Sequence, residues 1–140
     1  MIWKVKPSQD LFKNLTNDHM DKHLGIEFTE VGDDYLKARM PVNEKTRQPY
    51  GILHGGASCV LAESLGSAAG ACCVEFGKQM VVGLEINANH LRPVSSGYVT
   101  ATARPLHLGR TTQVWDIRLE NEQNEMVCIS RLTLAVKDLK

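Results

Sequence analysis

From Gly55 to Val74 the chain carries no proline and is built almost wholly of alanine, glycine, serine, cysteine, leucine and valine. Pro49 and Gly51 punctuate a loop before it, and the Gly55-Gly56 pair opens it. Such a run predicts one helix, from about Gly55 to about Val74. A helix on a protein surface shows a charged face. This one has a single acid, Glu63, until Glu75 near its end. Small side chains on nearly every side predict a helix buried all round, close against other backbone, with Glu63 the one charge inside it.

A buried carboxylate is costly unless something pairs with it or uses it. Cys59, Glu63 and Ser67 share one helical stripe, a turn apart from each other. His54 and Gly55 come well before Glu63, roughly 12–13 Å away along the helix and on a different face. One substrate atom could hardly touch both the helix start and Glu63 of the same chain. If both act, they come from two copies of the helix. The spacing therefore predicts an active site shared across a homodimer.

The rest of the sequence fits one domain, 1–140, long enough to bury a core, with 43% hydrophobic residues. Sixteen acids balance sixteen bases, and no basic run or acidic tail appears, which speaks against nucleic acid as a partner. The longest apolar stretch is too short to span a bilayer, and Met1-Ile2-Trp3-Lys4 lacks the apolar core of a signal peptide. No membrane contact and a cytoplasmic location are expected. Cys59, Cys72, Cys73 and Cys128 show no spacing suited to zinc, so reduced packing thiols and no metal are expected.

Taken in order, Ser8 to Lys22 reads as a short amphipathic helix with Leu11, Phe12, Leu15 and Met20 on its apolar side and Ser8 as cap. His23 to Val31 and Tyr35 to Val42 read as a hairpin around Gly32-Asp33-Asp34. After the central helix come four strand candidates: Val81 to Leu91, Tyr98 to Leu106, Thr112 to Glu120 and Met126 to Val136. Turns at Pro93 to Gly97, His107 to Arg110 and Asn121 to Asn124 divide them into a meander. The economical arrangement is α+β, one antiparallel sheet wrapped around one long buried helix.

Five segments carry a family resemblance: Met40–Val42, Gln48–Ser58, Leu61–Ser67, Val81–His90 and Pro105–Arg110. In register along the whole chain, they closely resemble the hotdog-fold thioesterases. The resemblance is closest to the branch holding the 1,4-dihydroxy-2-naphthoyl-CoA thioesterase of menaquinone biosynthesis and the proofreading thioesterase of enterobactin biosynthesis. It implies a hotdog fold and a thioester hydrolase. Glu63 matches the catalytic carboxylate, acting as nucleophile or as general base toward water. Gln48, His54 and Gly55 match the groups that hold and polarise the thioester carbonyl, supplied by the partner subunit. Ser67 matches the residue that orients water or intermediate, and His90 a histidine lining the site. Gly83, the segment His90-Leu91-Arg92-Pro93 and the loop His107-Leu108-Gly109-Arg110-Thr111 match coenzyme A contacts. No cofactor is implied, since coenzyme A arrives on the substrate. An obligatory homodimer, a homotetramer and an acyl or aryl carrier protein are the implied partners.

Elementary chemistry supports these roles from another side. A helix start presents unpaired N–H groups and partial positive charge, so the Gly55 amide suits an oxygen gaining charge. A carboxylate in an apolar cavity is a stronger base than one in water. In the 107–111 loop, Gly109 allows close backbone approach and Arg110 suits a phosphate. Each residue also has a plain reading: a structural acid for Glu63, a cap for His54, packing for Ser67 and Cys59, and ordinary loop positions for Gln48, Arg92 and Arg110. Alanine at 68 and 71, where near relatives carry bulkier residues, predicts a wider acyl pocket, and one residue is inserted around Glu75 to Met80. The resulting expectation is hydrolysis of aromatic acyl-CoA thioesters, 1,4-dihydroxy-2-naphthoyl-CoA first among them. The alternatives are proofreading of misloaded aryl groups on a carrier protein and a non-catalytic acyl-CoA-binding module. Hydratase chemistry would want a His/Asp pair that the chain does not offer.

Overall fold

The computed structural model describes residues 1–13 and 19–140. In it the small-residue run is a helix, α3 (Gly55–Ala71), laid against one antiparallel sheet, preceded by two short helices, α1 (Gln9–Lys13) and α2 (Met20–His23). The sheet has six strands: β1 (Glu27–Val31), β2 (Leu36–Pro41), β3 (Gln79–His90), β4 (Tyr98–Leu108), β5 (Thr112–Glu120) and β6 (Met126–Asp138). This is the α+β hotdog arrangement expected from the sequence.

The strand order is β1-β2-β4-β5-β6-β3, and here one expectation fails. β4, β5 and β6 do form a meander, but β3 is not its first member. It pairs with β6 at the far edge, from Gln79↔Asp138 to His90↔Cys128, while β4 pairs with β2. The 91–97 segment then returns the chain to β2. Hydrogen bonds from Leu53 N to Val94 O (2.7 Å) and from Val42 N to Gly97 O (2.8 Å) hold it. Inward-facing Ala38, Ala101 and Ala103 let β2 and β4 lie close beneath α3, all three fully buried.

Strand alternation gives the sheet one apolar face, seen in the buried Leu36, Met40, Trp115, Ile117, Leu132 and Leu134. Against it α3 sets Leu61, Ala62, Leu65 and Ala69, each large one contributing about 1.5–3 kcal/mol by leaving water. The need for small residues is literal. A Cβ on Gly66 would stand 2.5 Å from Leu132 Cδ2, and one on Gly70 2.5 Å from Leu134 Cδ1. Buried Gln113 donates to Gly70 O at 3.3 Å and accepts from Trp115 Nε1 at 2.9 Å, so the amide inside the core is satisfied.

Burial of α3 on all sides does not hold within one chain. A single sheet covers a single side, and the opposite side is only half-buried, with Glu63 itself exposed. The helix also stops at Ala71, short of Val74, where Cys72 O takes the N–H groups of Lys4 and Val5. At the N-terminus Ser8 Oγ accepts from Leu11 N (3.1 Å), as a cap should. The middle of the expected first helix, residues 14–18 with Leu15, lies outside the described residues. The first strand begins at Glu27 rather than His23, because His23 closes α2 and Gly25, at φ +77°, turns the chain. β4 runs on to Leu108, which takes His107 and Leu108 out of the turn.

Candidate active site

The start of α3 is prepared by a firmly held loop. Thr46, 1% exposed, donates from its hydroxyl to Pro41 O at 2.9 Å and accepts from Asn43 N at 3.0 Å. Its carbonyl takes the N–H of His54 at 2.8 Å. His54 is the N-cap of α3: its Nδ1 accepts from Gly56 N at 2.7 Å. Capping uses that nitrogen as an acceptor, which leaves the proton of the neutral ring on Nε2. Among the described residues no acceptor takes the Gly55 N–H. Gln48 Oε1 accepts from Tyr50 N, so the carboxamide is oriented and its NH₂ end remains available as a donor. His90, at the end of β3, lies over the helix start, where a Cβ on Gly55 would meet His90 Nε2 at 2.8 Å. Gln48, Gly55, His90 and Arg92 border one cavity of about 450 Å³.

Glu63 lies on a second cavity, of about 860 Å³, together with Ser67, Ala68 and Ala71. Its carboxylate rests against β3, since a Cβ on Gly83 would stand 2.7 Å from Glu63 Oε2. Cys59 is close enough to respond to it: burial, and secondarily the Glu63 charge, push the Cys59 thiol up. That keeps Cys59 protonated, a packing residue rather than a nucleophile. Burial likewise pushes the Cys72 and Cys128 thiols up to about 11.

Within one chain the expected site residues thus fall into two separate groups. Gln48, His54, Gly55 and His90 gather at the start of α3; Glu63, Ser67 and Gly83 gather two turns later on another face. The expected coenzyme A contacts are not brought together within one chain. Leu91, Arg92 and Pro93 border the first cavity, and Arg92 is paired with Glu125 at 3.1 Å. His107, Leu108, Gly109, Arg110 and Thr111 sit where β4 turns into β5, at the other end of the sheet and off both cavities. There Gly109 N donates to Thr112 O at 2.8 Å, and among the described residues no acid pairs with Arg110.

Two groups of residues escaped the sequence reading. Ser58, 1% exposed, borders the cavity of Gln48 and Gly55. Its position one turn after Gly55 was the available signal. Phe12, Asp21, Phe28 and Ser64 border the cavity of Glu63, and only Ser64, next to Glu63, could have been suspected. Among the described residues no cluster of His, Cys, Asp and Glu could hold a metal ion, and no helix is long and apolar enough to cross a membrane.

Comparison with known proteins gives concordant results. A family model described as Thioesterase superfamily matches residues 50–128. The 1,4-dihydroxy-2-naphthoyl-CoA hydrolase of Escherichia coli is 51% identical over 136 residues, covering 97% of this chain and 99% of that protein. The proofreading thioesterase EntH of Cronobacter turicensis is 49% identical over 136 residues, covering 97% and 98%. A crystal structure of a thioesterase from Haemophilus influenzae superposes with a TM-score of 0.95 at 51% identity, covering 99% of this chain and 96% of that one.

Proposed function

This chain belongs to the thioesterase superfamily and is a thioester hydrolase, and on that premise we propose that it cleaves aromatic acyl-CoA thioesters at a site built by two subunits. The observation that carries the two-subunit reading is the division of the site residues into half-sites, joined by an unusual edge strand. Among the described residues β3 pairs on one side only, with β6. It is long and exposes Val82 and Leu84. An unpaired apolar edge of that length is a template for another strand. Antiparallel pairing of β3 with its own copy, centred on Asn87, sets Ile86 opposite the partner's Ala88 and, across the bulge between Gly83 and Glu85, Gly83 opposite the partner's His90. Glu63 of one subunit then faces the helix start of the other. The same contact supplies the enclosure that Glu63 lacks in a single chain, and an isologous dimer contains the arrangement twice.

In that site Gly55 N–H and Gln48 Nε2 donate to the thioester oxygen. Glu63 accepts a proton from water as its oxygen attacks the carbonyl carbon, the C–S bond breaks, and the thiolate leaves with the proton returned. Ser67, one turn beyond Glu63, orients the water. Arg92 and Arg110 serve the phosphates of coenzyme A. 1,4-Dihydroxy-2-naphthoyl-CoA is the first candidate substrate, supported by the Escherichia coli relative and the width left by Ala68 and Ala71. A second reading, proofreading of aryl groups on a carrier protein, is supported by the relative named for it.

Thiol release from benzoyl-, hydroxybenzoyl-, 1,4-dihydroxy-2-naphthoyl- and medium-chain alkyl-CoA tests the proposal. The naphthoyl ester is expected to react fastest. Preference for a carrier-bound aryl group over every CoA ester would favour the second reading, and binding without release would sink both. Gly83→Ala probes the site from beneath. Among the described residues of its own chain the added methyl meets only the flexible end of Glu63, so melting temperature should hardly change. The carboxylate must shift, and a misplacement near 1 Å can cost about 100-fold in kcat. Unaltered kcat in Gly83→Ala would show that the resting position of Glu63 is not the working one.

A further inference from the structure

The cavity beside Glu63 has a wall that bond cleavage does not use. It comes from the N-terminal segment: Phe12 of α1, Asp21 of α2 and Phe28 of β1. The Phe12 and Phe28 rings stack, with centroids 4.1 Å apart and planes 22° apart. Across the cavity α3 offers Ala68 and Ser64. The apolar lining is interrupted where Ser64 Oγ donates to Asp21 Oδ1. Both side chains are half-buried. Ser64 follows Glu63 and so points about 100° away from it around the helix. The Asp21–Ser64 pair therefore stands beside the reacting carbonyl rather than on it.

We propose that Asp21, Ser64, Phe12 and Phe28 are specificity determinants that select acyl groups carrying a hydroxylated aromatic ring. Asp21 accepts a hydrogen bond from the ring hydroxyl, and the stacked phenylalanines pack against the ring. The inference rests on the thioesterase reading of this cavity and adds the residues that choose its substrate. Ser64 occupies one Asp21 oxygen and leaves acceptor capacity on the other. When an acyl group fills the cavity, water leaves. A ring hydroxyl then satisfies the carboxylate, whereas a plain ring or an alkyl chain leaves it without a partner. Selection works mainly by penalising the wrong group, the route by which polar sites discriminate best. The rigid aromatic wall favours flat rings over chains. A cavity of about 860 Å³ leaves room for two fused rings.

Matched esters decide it: hydroxybenzoyl- against benzoyl-CoA, 1-hydroxy-2-naphthoyl- against 2-naphthoyl-CoA, and octanoyl-CoA as the chain control. In the wild type, kcat/KM for the hydroxylated member of each pair is expected to exceed that of its plain partner by about tenfold or more. The ratio should fall close to one in Asp21→Leu, fall in Ser64→Ala, where the hydrogen bond that holds Asp21 toward the ring is lost, and persist in part in Asp21→Asn, which keeps an acceptor. Phe28→Leu should lower both aryl rates by about tenfold relative to octanoyl-CoA. Melting curves identify any variant that fails to fold, and Ser64→Ala, an exchange for a better helix former, guards against loss of Asp21→Leu. Unchanged ratios in folded Ser64→Ala and in either Asp21 variant would overturn the proposal. A wild type that releases thiol from no ester would overturn the thioesterase reading, and this inference with it.

Discussion

Glu63→Gln should abolish most thiol release, with kcat reduced about 1,000-fold or more and the melting temperature unchanged or raised. The amide keeps the size and shape of the acid but cannot take a proton from water or attack a carbonyl. General-base catalysis alone is worth about 100- to 10,000-fold. In a single chain Glu63 is exposed and makes no ion pair among the described residues. Its loss therefore leaves no buried partner stranded, and the fold should not suffer. Coenzyme A ester binding, read by calorimetry with the inactive variant, should survive because Arg92 and Arg110, the proposed phosphate partners, lie elsewhere. A variant retaining a tenth of wild-type kcat would remove Glu63 from the chemistry and leave it the structural acid of the plain reading. Single turnover in oxygen-18 water adds a finer readout. Label appearing in the Glu63 carboxylate of the wild type marks an anhydride intermediate opened at the Glu63 carbonyl; label only in the released acid marks attack of water on the acyl carbon.

What the sequence made legible, and what it hid, divides along physical lines. Helix α3 was legible because its composition leaves no charged face, and its small residues proved to be close contacts, Gly66 on Leu132 and Gly70 on Leu134. The six strands were legible from alternation, to within a few residues at their ends. The place of β3 was not. Alternation reports which face a strand buries, not which neighbour it takes, and β3 is exposed along much of both faces in one chain. The separation of Glu63 from Gly55 was legible from helical rise alone. The exposure of Glu63 was not, since composition shows that a helix lacks a charged face but not which side the sheet leaves open. Asp21 and Phe28 reached the cavity through long-range contacts, forty-three residues from Asp21 to Ser64, and no local pattern marks such a meeting.

The proposed two-subunit site yields the second large effect. Glu63→Ala and Gln48→Ala should each be nearly inactive alone, the second because an oriented donor to the developing oxyanion is worth about 100- to 1,000-fold. Unfolded together in equal amounts and refolded, they should recover about a quarter of wild-type activity per subunit, the value that random pairing in a two-fold dimer predicts. Half of the dimers would be mixed, and each mixed dimer would hold one intact site, with Glu63 from one subunit and Gln48 from the other. Its second site would carry both lesions. If Glu63 and Gln48 served one site within the same chain, no pairing could restore it and the mixture would stay as inactive as its parts. Two substitutions on the same half-site, Glu63→Ala with a disabling change at Ser67, should fail to complement in any ratio. Recovery in the first mixture but not in the second would assign each residue to its subunit. Recovery in neither, from material that light scattering shows to be dimeric, would mean that the helix start and Glu63 do not meet across the β3 edge.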